Sequence, residues 1–352
     1  MTTFVTSRRA SASLRACSVA VMADADDRIQ TGAATTAQKT HRYLRLSLVL
    51  VVFALVLSVV LQSAVVSWDP LVLGWRPLPS VSHAVYTPAR DVFVGSLIAV
   101  SIALLALSGR SRATTLLDVC AVFAPLIAIV PTGIAPTTIG PAGIADGIGA
   151  GGLPCPGPSD CIPSDYLASA KAGIAVYGVT VVAVVVATAV IRVRRREPNR
   201  SAVVLSVVAL ATATVVAALA FVPVVNERFP FNFWPVHSIH FVVTLVFFAL
   251  FTAVPILYAS GPLDAHETPP TPRQRSIYRW ISGLLIVDLL FLIAAVAFRQ
   301  VFGETPAVLI GELAALLLFA GFWWVQTFQR WNDADPPSIA APRSSGPRAS
   351  EP

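Results

Sequence analysis

The chain has 352 residues, of which 55% are hydrophobic and only 12% charged. A soluble domain carries roughly 25% charged residues, so this composition excludes an ordinary soluble enzyme. The net charge of +6 would suit a nucleic-acid binder, but the placement of the basic residues along the chain argues against that class.

Residues 1–42 are polar, rich in Ala, Thr and Ser, and without apolar periodicity. They read as a disordered tail. They are not a signal peptide, because no apolar core follows the early arginines. Met22 opens the run MADADDRIQ and is an alternative start to Met1. From 43 to 331 follow eight apolar segments, 44–66, 91–109, 116–134, 173–192, 202–224, 238–259, 280–298 and 306–328. A bilayer takes about 20 apolar residues per crossing helix. The segments lack the period-2 alternation of barrel strands, so helices are expected. The predicted fold class is all-α, a bundle of eight transmembrane helices.

The third segment is the weakest. It carries Asp118, Pro125 and Pro131 and is expected to be kinked or shortened. The prolines of loop 67–90 discourage helix. Loop 135–172 is long and dense in Gly and Pro, and loops of this length are usually functional or disordered. The run RVRRREPNR at 192–200 reads as a tight turn, and residues 332–352 as a second disordered tail.

The arginines set the orientation. With the N-terminus in the cytoplasm, 20 of the 25 Lys and Arg residues fall in the two tails or in the gaps after even-numbered segments. Cytoplasmic loops collect positive charge, so both termini are predicted to be cytoplasmic and the protein to lie in the inner membrane. Trp68, Trp75 and Trp234 then fall at outer boundaries, and Tyr43, Trp280, Trp323 and Trp324 at inner ones, as interfacial belts do. Two lysines against 23 arginines, with abundant Ala and Val, fit a GC-rich bacterial genome. Cys155 and Cys161 share the outer run LPCPGPSDCIP. Disulfides persist on oxidising faces, so this pair is expected to close a small loop. Its spacing suits neither a redox CxxC nor zinc.

Ionisable residues at membrane depth are expensive and invite a functional reading. The topology gathers His83, Tyr86, Arg90, Asp91, His237, His240, Arg299 and Glu312 near the outer interface, with Asp118 and Asp288 toward the inner half. Thr87 is a good N-cap and Pro88 a good first helical residue, so the second helix is expected to begin at YTPARD. Asp91 then sits where the helix dipole favours a carboxylate. His237 and His240, three apart, share a helix face. They are weak metal candidates with His83, and no cofactor or metal is expected. Glu312 needs a partner or a proton, and Arg90 and Arg299 are its expected ion-pair partners. No nucleotide-binding loop, hydrolase elbow or zinc-protease motif is present.

The stretch SVSHAVYTPARDVFVG, through Ser80, Ser82, Tyr86, Thr87, Arg90, Asp91, Phe93, Val94 and Gly95, resembles a pattern in bacterial multi-pass membrane proteins of no established activity. The resemblance extends over about 78–134 and 238–328. It implies a helical membrane domain and an outer cluster, but no reaction. Ser80, Ser82, His83, Asp91, His237 and His240 are also similar in type to the zinc-site residues of intramembrane hydrolases related to alkaline ceramidases. The spacing here is HxxH, where that family has HxxxH.

The sequence thus supports an integral membrane protein whose outer cluster binds a lipid headgroup or small molecule, or fixes helix packing, with the bilayer as partner and no nucleic acid. A metal-dependent lipid hydrolase and a small-solute or proton-coupled transporter are the alternatives.

Overall fold

The computed structural model describes residues 36–65, 68–69, 74–75, 78–107, 109, 111–134, 162–195, 200–222, 238–261, 268–302 and 306–331. Cys155 and Cys161, His237 and both distal tails lie outside the described residues, as does the Arg299 side chain.

Eight helices of 17 residues or more run through the described part. They are α1 (Thr36–Val65), α2 (Arg90–Ala106), α3 (Arg112–Ile129), α4 (Ser164–Arg195), α5 (Arg200–Phe221), α6 (Ile239–Ala259), α7 (Pro272–Ala297) and α8 (Ala307–Gln329). A 3-10 helix, Val81–Tyr86, precedes α2, and a single turn, Arg299–Phe302, follows α7. Two strands of two residues each, Trp68–Asp69 (β1) and Gly74–Trp75 (β2), pair antiparallel between α1 and the 3-10 helix. Seven of the long helices are long and apolar enough to cross a membrane, and the chain is a multi-pass integral membrane protein. The remaining one, α2, has 17 residues and rises about 25 Å, short of a hydrocarbon core of about 30 Å.

Helix starts follow local chemistry. Ser111 caps α3 by accepting the Thr114 amide, and Ser238 caps α6 by accepting the Phe241 amide. Thr271 and Gln274 form a reciprocal capping box ahead of α7, with Pro272 in its first turn. Thr87 is not the N-cap of α2: its hydroxyl accepts the Ala89 amide at 3.1 Å in the preceding turn, and the helix starts two residues later than Pro88, with Ala89 as an N-cap that makes no side-chain bond. Three helices begin earlier than the apolar pattern implies. α1 takes in residues 36–42, α4 begins at Ser164 inside the loop predicted to run to 172, and α7 begins at Pro272. Apolar periodicity marks the lipid-facing length only, and helices continue into polar surroundings as long as good helix formers and caps allow. Arg192, Arg194 and Arg195 accordingly lie on the last turn of α4.

Six helices close a ring in the order α1, α2, α3, α6, α7, α8 and back to α1. The α4–α5 hairpin leans on α3 from outside. Of the membrane-spanning stretch of α3, 61% is buried, against 11% for α4. The α4 surface is a field of exposed valines such as Val176, Val179 and Val186, which suits contact with lipid. Between α6 and α8 the ring is filled by Phe247, Phe251, Phe319 and Phe322, whose rings meet at 4.7–6.1 Å. At one end, the Arg42 Nε of α1 donates to the Trp331 carbonyl at 2.6 Å and its guanidinium lies over the Trp331 ring. Cations are favoured at a helix C-terminus. At the other end the 3-10 helix packs against α1, α2 and α8.

Close approach of α7 and α8 depends on Gly311. A Cβ there would sit 2.6 Å from Leu292 Cδ2, and Leu292 is buried. Gly311→Val is therefore expected to destabilise the protein by about 1–3 kcal/mol through overpacking. Thermal unfolding in detergent measures this, and an unchanged midpoint would show that the α7–α8 contact is looser than described.

Candidate functional site

The 3-10 helix places Ser80, Ser82 and His83 inside the end of the ring, and all three are buried. Ser80 Oγ and His83 Nδ1 are 2.6 Å apart, a local pair three residues apart. Ser82 makes the long-range contacts. Its Oγ lies 2.5 Å from His240 Nε2 on α6 and 3.1 Å from Glu312 Oε1 on α8. The Val81 amide donates to Glu312 Oε2 at 2.5 Å. A carboxylate at the start of a short helix satisfies amides that have no partner within it. Glu312 thus caps the 3-10 helix from another element.

His240 is fixed at both nitrogens. Its Nδ1 lies 2.6 Å from the Val130 carbonyl oxygen. A carbonyl only accepts, so Nδ1 carries a proton and donates it. That carbonyl is available because α3 ends at Ile129 and Pro131 follows. Ser238 holds the first turn of α6 and so sets where His240 stands. Next to these groups the ring holds a small chamber that is partly open to the outside. Its walls are almost wholly apolar, with Leu55, Phe93, Leu97 and Phe247 among them, and Ser82, Ser96, Thr244 and Glu312 are the polar residues that line it.

The structure brings His240 and Glu312 together through Ser82, with His83 beside them through Ser80. It does not bring Arg90 to Glu312. The Arg90 guanidinium instead donates to Ser169 Oγ of α4 at 3.2 Å and lies 5.6 Å from the Tyr166 ring centre. The early start of α4 supplies both partners. Tyr86 donates to the Thr132 carbonyl at 2.6 Å and meets Tyr166 edge-on. Burial, and next the neighbouring Tyr166, push the Tyr86 hydroxyl above its usual range, so it remains a donor. Asp91 is exposed on the first turn of α2.

Asp118 and Asp288 are buried on α3 and α7. The sequence reading sets both toward the inner half. Gly311 faces Leu292 across the α7–α8 contact, which brings Asp288 within about one turn, roughly 4.5 Å, of the Glu312 level. The long polar start of α7 carries Asp288 past the helix midpoint. Asp288 Oδ2 is buried without a hydrogen-bond partner. Cys120 is a free buried thiol whose Sγ lies 3.6 Å from the Phe247 carbonyl.

No group of three His, Cys, Asp or Glu among the described residues is placed to hold a metal ion. Both His240 nitrogens already have protein partners, so its lone pair is directed at Ser82. Comparison with protein-family models, curated proteins and solved structures gives no match.

Glu312→Ala leaves the Val81 amide and the Ser82 hydroxyl without their acceptor. The expected loss is about 1–3 kcal/mol, read from unfolding of the detergent-purified protein. A loss below about 0.5 kcal/mol, typical of an inert surface site, would show that the cap contributes little.

Proposed function

We propose that the protein is an eight-span membrane protein whose chamber receives an amphiphile, with the polar end at Ser82 and Glu312 and the apolar part along the chamber walls. The observation that carries this reading is the chamber itself, apolar on its walls and with Ser82 and Glu312 among its lining residues. Binding sites of this type are lined mainly by apolar groups, with a few polar groups fixing orientation.

The eight-span count and the cytoplasmic termini draw support from two sides. The arginine distribution favours both. The Arg42–Trp331 contact also leaves the first and last helices on one face of the domain, as an even number of crossings requires. In a background lacking Cys17 and Cys120, a membrane-impermeant maleimide on intact cells should label Cys155 and Cys161 after reduction. A cysteine placed at Arg195 should stay unlabelled. The reverse pattern overturns the orientation.

A lipid acyl hydrolase is the second reading, favoured by the Ser82 Oγ–His240 Nε2 distance of 2.5 Å. A hydroxyl held by an imidazole whose other nitrogen is anchored is the arrangement of a nucleophile and its base. Against turnover, Glu312 holds the Val81 amide beside that hydroxyl, where an oxyanion would need donors. A fluorophosphonate probe that labels wild type and not Ser82→Ala would favour hydrolysis over binding.

Leu97→Trp adds bulk to the chamber from a residue that takes no part in the Ser82, His240 and Glu312 hydrogen bonds. Lipid extracted from purified protein and quantified by mass spectrometry should fall several-fold in this variant while the protein stays folded. Equal lipid in both would remove the chamber from consideration.

A further inference from the structure

We infer that His240, Ser82 and Glu312 form a single proton-binding site, in which three hydrogen-bonded contacts share three protons and one of them is exchangeable. The contacts are Val130 O with His240 Nδ1, His240 Nε2 with Ser82 Oγ, and Ser82 Oγ with Glu312 Oε1. Each needs one hydrogen between its two heavy atoms. A neutral imidazole brings one and the serine hydroxyl brings one. An ionised Glu312 brings none. The third hydrogen is present only when Glu312 is a carboxylic acid or His240 is an imidazolium.

These two forms hold the same number of protons. In the first, the Glu312 acid donates to Ser82 and Ser82 donates to neutral His240. In the second, the His240 imidazolium donates to Ser82 and Ser82 donates to the Glu312 carboxylate. A concerted shift along the serine hydroxyl interconverts them: the acid proton moves to Ser82 Oγ as the serine proton moves to His240 Nε2. No atom is gained or lost, and no bond other than these O–H and N–H bonds changes.

Removing the third proton leaves one contact with lone pairs facing each other, whichever tautomer the imidazole takes. Lone pairs facing each other across a buried contact repel, so deprotonation disfavours that contact, while the Val81 amide still donates to Glu312. The contact between Ser82 and Glu312 is part of what holds the 3-10 helix to α8, and it weakens with the proton's departure.

Other titratable groups face the cluster from several elements. On the 3-10 helix, His83 is tied to Ser80 and Tyr86 to Thr132. On α7, Asp288 lies within about one turn of the Glu312 level. The chamber residues contributed by α1, α2, α3 and α6 are apolar or hydroxyl-bearing. On α3, Asp118 lies twelve residues before Val130, about 18 Å along the helix.

The test is the pH dependence of stability. An unfolded chain has Glu and His values near 4.3 and 6.5. Between those values it carries as many protons on this pair as the folded site does, and stability is flat. Above about pH 6.5 the unfolded chain releases the histidine proton while the folded site retains its own, so stability falls as pH rises. The limiting slope is one proton, or about tenfold in the unfolding equilibrium per pH unit. Glu312→Gln supplies a permanent amide donor to Ser82 and an acceptor to Val81, so the extra proton is no longer required. The wild-type melting temperature in detergent should fall as pH rises above about 6.5, and that of Glu312→Gln should stay level by comparison. Identical pH profiles for the two folded proteins overturn the proposal. If the variant does not fold, hydrogen exchange of residues 81–86 in wild type decides. Protection, corrected for the intrinsic pH dependence of exchange, should drop over the same range, and constant protection overturns the inference.

Discussion

Backbone that leaves the helical state inside a membrane domain must find its hydrogen-bond partners in the protein, and this constraint governs the end of the ring where residues 78–89 enter. The short 3-10 helix has few internal bonds and exposes amides at its start. Glu312 meets the Val81 amide from α8, and Thr87 closes the segment on the Ala84 carbonyl and the Ala89 amide. The Val130 carbonyl, freed at the end of α3, is met by His240. Three helix ends and one irregular segment therefore satisfy one another through Ser82. The same arrangement that lets the segment sit inside the ring places Ser82 and Glu312 among the residues that line the chamber.

The helical segments and their order were legible because each rests on a local property. A run of apolar residues, a capping hydroxyl or an arginine-rich gap is read in one place along the chain. Each of the eight predicted segments overlaps a helix of 17 residues or more among the described residues. The early starts of α1, α4 and α7 were not legible, since periodicity tracks lipid contact and not helix length.

Partner choice was the other illegible part. Arg90 and Glu312 have opposite charges at a similar level, yet Arg90 turns to Tyr166 and Ser169 on a stretch of α4 that looked like loop. Ser82 is the hub of the cluster, although serine in a membrane protein is too common to stand out. The Val130 carbonyl carries no side-chain signal at all. Its only trace in the sequence is Pro131, which marks where α3 ends. The separation of 230 residues between Ser82 and Glu312 also removes any local pattern linking them.

That separation has a consequence for how the protein is made. Ribosomes add about 5–20 residues per second, so Ser82 is synthesised roughly 10–45 s before Glu312. Through that interval the 3-10 segment has no α8 to cap it, and the ring stays open between α1 and the unfinished C-terminal helices. The buried serine and histidine groups must be hydrated or held by other partners until α8 arrives. The last helix to be inserted thus completes the first irregular segment, and assembly of the chamber waits on the end of translation.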